Sequence, residues 1–244
     1  MPVIRTSAII CTVRKHGENG AVVRLMTPEH GLQAGYVRGG LSRTLRPVLM
    51  PANLVQAELR SRSADQLAGL TVELAQSRAP FFNEPLAAAA FGWATLLTAS
   101  VLPEAAAYPR IHAALLALLD LVCASPSARW WAKAMVEYER LLLGELGFGL
   151  DLSRCAVTGE TGNLTHVSPR SGRAVSAGSA HGYADRLLPL PGFLIGYEDA
   201  GWDAIFEGFA LTGHFIERAF FGDRRNEPLA ARQMMLDRLK RVVA

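Results

Sequence analysis

Polar and apolar residues alternate with a period of two through much of the first eighty residues, and beyond Pro80 the period lengthens to that of a helix. Over 55–61, Val55, Ala57 and Leu59 alternate with Gln56, Glu58 and Arg60, and over 70–78, Leu70 and Val72 alternate with Thr71 and Glu73. That is the pattern of a half-buried strand. Three earlier runs, 7–14, 21–27 and 32–38, are short and rich in Val, Ile, Leu and Ala, with turn signals at Gly17–Gly20, Pro28–Gly31 and Gly69. Five short strands in so compact a stretch predict a small barrel closed on itself to hide its edges, an OB-fold first and an SH3-like barrel as the close alternative. The connection from Gly39 to Asn53 is long for such a module, and connections of that length tend to carry function.

Past Pro80, Asn83 is placed to cap a helix running to about Ser100. Pro109 opens a second helix, with Ile111, Leu115, Leu118 and Val122 on one face, and a third begins after Ser125–Pro126, with Trp131, Met135, Tyr138 and Leu142 on one face and Gly147 as its stop. Residues 150–200 are rich in Gly, Ser, Thr and Pro and read as a small β-containing insert, followed by helices over roughly 203–221 and 228–242. The expected class is α+β and multi-domain: a barrel over 1–80, a helical domain in two parts, 81–149 and 201–244, and the insert between them.

Charge changes this picture. The net charge of +3 is uneven: 1–80 carries ten Lys/Arg against five Asp/Glu, 81–223 nine against fifteen, and the stretch from Arg224 onward six against two. Of the 25 basic residues 22 are arginine, whose planar fork suits phosphate oxygens. Arg38, Arg43 and Arg46, in and before the long connection, are the leading candidates for nucleic-acid contact, with Arg14, Lys15, Arg24, Arg60 and Arg62 secondary. Cations along a groove neutralise phosphates and release counterions, giving sequence-independent, salt-sensitive affinity. Tyr36 is either a base-stacking residue or part of the core. Arg224, Arg225, Arg232, Arg238, Lys240 and Arg241 either extend that path or form a solvated face. Cys11, Cys123 and Cys155 are odd in number and far apart, which suits a reducing compartment rather than a disulfide framework. The apolar stretches are broken by Pro103, Pro109 and Pro126, short of a membrane span, and no basic-then-apolar leader is present, so the expected location is cytoplasmic. No Walker, G-x-S-x-G or H-E-x-x-H motif occurs, and Cys155 beside Arg154 lacks a nominated base, so no enzyme and no cofactor are expected.

Several pieces in order resemble the bacterial RecO family of DNA repair and recombination mediators. They are Arg14–Glu18, Met26–Gly31, Arg38–Gly40 leading to Arg43 and Arg46, the stretch Tyr138–Leu152 leading to Cys155, and Pro228–Leu229 with Arg232. The resemblance implies an N-terminal OB-fold and a C-terminal helical domain enclosing a zinc-ribbon-like insert. It implies an activity too: a monomer, nucleoid-associated, that binds single- and double-stranded DNA, anneals complementary strands and, with RecR, helps load the RecA recombinase onto DNA coated by single-strand-binding protein. Lys133 and Arg140, seven residues apart on the third helix beside an apolar stripe, are candidates for holding the acidic C-terminal tail of single-strand-binding protein. Many members carry two C-x-x-C pairs in the insert. Here the matching positions read Cys155-x-x-Thr158 and Ser168-x-x-Ser171, and neither His166 nor His181 sits at ligand spacing, so no metal is expected and packing from Val157, Leu164, Val167 and Val175 is expected to hold the insert. Two other classes stay open: a scaffold whose barrel docks an acidic partner without meeting DNA, and a cysteine-dependent enzyme built on Cys155.

Overall fold

A computed structural model describes residues 3–61, 66–197, 200–222 and 227–243. The chain forms two compact units, Met1–Ala124 with Glu227–Val242, and Ser125–Asn226. In the first, strands β1 (Val3–His16), β2 (Gly20–Thr27), β3 (Gly31–Val37), β4 (Leu54–Arg60) and β5 (Ala68–Gln76) close into a barrel in the order β1-β2-β3-β5-β4, with β4 returning to β1. All neighbours are antiparallel except β3 and β5, which run parallel where Gly35 and Tyr36 face Ala68 and Gly69. This is the OB-type barrel that the alternation predicted. β1 serves both sides of it: Val3–Ile9 pairs with β4 and Ile9–His16 with β2, and the register shifts between Ile10 and Thr12, leaving Cys11 as the bulged residue.

The inward positions are those that the period of two selects. Ala21, Val23 and Leu25 of β2, Val55, Ala57 and Leu59 of β4, and Leu70 and Val72 of β5 form one apolar cluster with Ala8, Ile10 and Val37. Each large apolar side chain buried there contributes about 1.5–3 kcal/mol. A side chain at Gly35 would bring its Cβ to 2.6 Å from Leu70 Cβ, so β3 and β5 approach closely because that position has none.

The segment from Gly39 to Asn53 is a folded cap rather than an open loop. Gly39 turns the chain at φ +68°. Helix-like bonds follow, from Arg46 N–H to Ser42 O and from Leu49 N–H to Leu45 O, both 2.9 Å. They set Leu45, Val48 and Leu49 against the interior cluster. The far end of the cap is fixed by two polar residues without exposure. Asn53 donates from Nδ2 to the carbonyls of Pro47 and Val48 and accepts at Oδ1 from the Arg78 amide. Arg78, fully buried, donates to the Ala52 carbonyl and to Asp120.

The helices are α1 (Pro85–Val101), α2 (Pro109–Ala124), α3 (Ala128–Glu145), the single turn α4 (Ala177–Ala180), α5 (Trp202–Ile216) and α6 (Glu227–Val243). Glu84, not Asn83, precedes α1. Asn83 ends a 3-10 turn, and Pro85 takes the first helical position, where its missing N–H costs nothing. Within the first unit α1 and α2 lie against β1 and β2. Ile9, Met26 and Leu32, paired in one row across β1, β2 and β3, are thereby buried although they stand outside the interior cluster. Arg232 of α6 lies 5.8 Å from the ring of the buried Trp93, and Arg238 donates to the Pro85 carbonyl.

In the second unit α3 packs on α5, where the buried Glu139 accepts from the Thr212 hydroxyl. Of the tryptophan pair, Trp131 is buried and Trp130 exposed. The insert holds a three-stranded sheet, β7 (Ala174–Ser176), β6 (Leu164–Val167) and β8 (Leu188–Pro189). Leu164, Val167 and Val175 are buried as expected. Val157 is not: it stands at the apex of the turn Ala156–Thr158 and is 72% exposed. Among the described residues no helix is long and apolar enough to cross a membrane.

Candidate nucleic-acid interface

One end of the barrel gathers most of the sequence-selected cations. The β1–β2 turn and the start of the cap meet there: Leu41 N–H donates to the Asn19 carbonyl at 3.3 Å, and Gly40 rests on Ala21 so closely that a Cβ would lie 2.8 Å from it. Arg14 and Lys15 lie near the end of β1, Arg38 directly follows β3, and Arg43 and Arg46 stand on the outer side of the cap while Leu45 and Leu49 face inward. All five are exposed. Among the described residues Lys15, Arg38, Arg43 and Arg46 have no carboxylate partner, and Arg14 has only Glu227 at 3.6 Å, with both side chains about three-quarters exposed. Such an exposed pair is worth little and yields readily to a phosphate. Glu18, in the β1–β2 turn, is the carboxylate nearest in sequence.

The other candidates are already engaged. Arg24 points outward, as alternation required, but toward α1 in the same unit: it donates to the Ala99 carbonyl and sits 3.1 Å from Glu104. It braces the barrel against the end of α1 and does not stand free beside the other five. Arg60, with Arg5, closes on Glu58, whose carboxyl is held below the usual range first by Arg60 and then by Arg5. Arg62, Arg224 and Arg225 lie outside the described residues. Lys240 and Arg241 are exposed at the end of α6, whereas Arg232 is buried.

Tyr36 does not belong to the interior cluster. It is half-buried, lying across Gly20 so that its ring atoms occupy the space a Cβ there would take, and it meets His16 edge-on at 5.7 Å. In register Arg14, Val22 and Tyr36 form one row across β1–β3, and Thr12, Arg24 and Ala34 the next. Thr12, Arg14, Val22, Arg24 and Ala34, with the end of α1, line a groove of about 380 Å³. Gly20 reads in sequence only as part of a turn and His16 only as part of the Arg14–Glu18 stretch; a glycine opening a strand opposite an aromatic is the signal for their contact with Tyr36.

On the second unit, Lys133 and Arg140 of α3 both address the segment after Pro191. Lys133 lies 5.8 Å from the Phe193 ring and 3.9 Å from Glu137, one helical turn away. Arg140 is exposed on the rim of a groove of about 480 Å³ that also takes in Leu150, Leu152, Leu194, Ile195 and Tyr197. Tyr197 was not foreseen as part of it.

The insert corrects one correspondence drawn from spacing. Ser168 and Ser171 close the turn between β6 and β7, where the Ser171 amide donates to Ser168 Oγ. The residues that meet Cys155 are Ser176 and Ser179.

An OB-type barrel with an exposed basic end, carried in one chain with a helical unit, defines the class as an OB-barrel protein with an appended helical unit. Comparison with known families places it further. Residues 1–78 match the family model described as Recombination protein O N terminal and residues 83–227 the one described as Recombination protein O C terminal. The chain is 43% identical over 237 residues to the DNA repair protein RecO of Rhodospirillum centenum, covering 96% of this chain and 93% of that one. It is 44% identical to that of Phenylobacterium zucineum over 95% of each chain, and 42% identical to that of Jannaschia over 98% of this chain and 97% of the relative. The chain belongs to the RecO family, and its role lies in DNA repair and recombination.

Proposed function

We propose that the chain binds single- and double-stranded DNA through the basic end of its barrel, anneals complementary strands and, together with RecR, helps RecA load onto DNA coated by single-strand-binding protein. The observation that carries this reading is the set Arg14, Lys15, Arg38, Arg43 and Arg46, exposed and almost free of internal carboxylates, in a chain of the RecO family. Fixed cations on a rigid cap track a phosphate backbone without reading bases. They suit annealing because they screen the repulsion between two approaching strands. The half-buried Tyr36, with His16 against it, offers an aromatic surface beside that path. The Arg140 groove joins a cation to Leu and Tyr side chains, which fits the acidic, apolar tail of single-strand-binding protein.

The test is annealing of complementary oligonucleotides, one strand coated with single-strand-binding protein, followed by fluorescence transfer. Wild-type protein is expected to speed annealing, and charge reversal at Arg43 and Arg46 to abolish the gain while leaving the far-UV spectrum intact. An annealing rate untouched by that double reversal would overturn the assignment. Absence of any oligonucleotide binding at low salt would favour the scaffold reading instead.

A further inference from the structure

The insert of the second unit is closed by four residues arranged as two pairs of equal spacing, Cys155-x-x-Thr158 and Ser176-x-x-Ser179. Cys155 Sγ lies 3.3 Å from the Ser176 amide, 3.4 Å from Ser176 Oγ and 3.7 Å from Ser179 Oγ, and the two serine hydroxyls are 3.3 Å apart. Thr158 stands at the fourth position, where it helps to hold the thiol below its ordinary range, and its Oγ1 accepts from the Glu160 amide at 3.4 Å. The backbone around them is that of a knuckle: the Gly159 amide returns to the Cys155 carbonyl at 2.9 Å, Gly159 has φ +77°, and the Ala156 amide bonds to Ala174 of β7. Two such pairs, each spaced by two residues and converging across a turn and a strand end, are the arrangement that closes a tetrahedral zinc site when all four groups are thiolates.

The donor set does not fit zinc. One thiol and three neutral hydroxyls provide a single soft anionic ligand where a structural site uses four Cys or His groups. Among the described residues no group of three His, Cys, Asp or Glu gathers anywhere. Cys155 is 1% exposed, and its sulfur is met by the Ser176 amide and by the hydroxyls of Ser176 and Ser179.

We infer that Cys155, Thr158, Ser176 and Ser179 form a metal-free knuckle, in which hydrogen bonds to one sulfur do the closing that a metal ion would do, on a backbone still shaped to hold one. The unit therefore folds independently of zinc, and its insert is indifferent to chelators. Donation from Ser176 and then Thr158 pulls the Cys155 thiol down to about 5, consistent with a sulfur that chiefly accepts.

The experiment has two arms. Purified wild-type protein, assayed by elemental analysis and by Co2+ titration, is expected to hold no equivalent of metal and to show no absorption of tetrahedral Co2+–thiolate, and a chelator is expected to leave its melting temperature unchanged. One equivalent of metal that is lost in Cys155→Ser, or a melt lowered by chelator, would overturn the inference. In the second arm, the triple variant Thr158→Cys, Ser176→Cys, Ser179→Cys is refolded with Zn2+ or Co2+ and is expected to take up one equivalent, with the Co2+ spectrum of a tetrahedral thiolate site. A folded triple variant that binds none would show that the four positions do not converge. Should that variant fail to fold, Thr158→Val and Ser176→Ala serve in its place: each removes a donor to the sulfur and is expected to lower the melting temperature, and an unchanged melt in both would sink the hydrogen-bonded knuckle.

Discussion

Replacing Arg43 and Arg46 together by alanine isolates the contribution of the cap. Both side chains are exposed, and the bonds that hold the cap run through the backbone amides of Arg46 and Leu49 and through Asn53, none of which the substitution removes. Stability should therefore change by no more than about 0.5 kcal/mol. Binding should change more. If all five cations at the barrel end neutralise phosphates on a single strand, each adds about 0.7 to the slope of log K against log salt, so the slope is about −3.5 for wild type and about −2 for the variant. Raising salt from about 50 to about 200 mM then weakens wild type about 130-fold and the variant about 18-fold. Fluorescence anisotropy with a labelled oligonucleotide at four or five salt concentrations measures both slopes. Arg60→Ala is the internal control, because Arg60 is already closed on Glu58 and is expected to leave the slope alone. Parallel salt lines for wild type and the double variant would refute the reasoning, even if the variant bound more weakly.

Three further outcomes follow from named contacts. Asp120→Ala leaves the fully buried Arg78 with the Ala52 carbonyl as its remaining side-chain acceptor among the bonds described above, and is expected to cost about 2 kcal/mol, at the low end for a broken buried pair because Asp120 is itself half-exposed; an unchanged urea midpoint would contradict that role. His112 on α2 is buried and its Nε2 has no hydrogen-bond partner among the described residues; burial lowers its pKa from 6.5, and the folded state resists the proton that the unfolded chain accepts. Stability from this group is complete above about pH 6.5 and is lost as pH falls below it, by up to about 1.4 kcal/mol per pH unit; His112→Leu should flatten the difference between urea midpoints at pH 7.5 and 5.5 (both values approximate), and identical pH dependence in variant and wild type would exclude it. Arg140→Glu should abolish binding of an acidic peptide ending in an aromatic residue, read by calorimetry, while oligonucleotide affinity stays unchanged; loss of both together would count against separate sites.

The barrel was legible because its physics is local. Alternation at Val55–Arg60 and Leu70–Glu73 fixes which face is buried whatever those strands pair with. The cap was legible only as a long connection, since nothing short of three dimensions shows that Leu45, Val48 and Leu49 find the open end of the barrel and turn Arg43 and Arg46 outward. Pattern alone does not separate Arg24 and Arg60 from Arg14 and Lys15, for a related reason. The carboxylates of Arg24 and Arg60 are Glu104, eighty residues away, and Glu58, which a strand pattern presents as merely exposed. Arg78 reads in sequence as one more strand-end cation, and its burial depends on Asp120, two helices further on. The insert shows a different limit: Ser168-x-x-Ser171 and Ser176-x-x-Ser179 are identical as spacings, and only the path of β6 and β7 decides which pair reaches Cys155.

The return of α6 to the first unit bears on how the molecule is made. That unit is built from both ends of the sequence, with Ser125–Asn226 intervening. On a ribosome the barrel can close as soon as β5 emerges, but Trp93 waits for Arg232, Pro85 for Arg238 and Arg14 for Glu227 until α6 has been synthesised. The pairing of α6 with Trp93 and Pro85 is thus a late event in the same unit that carries the basic end.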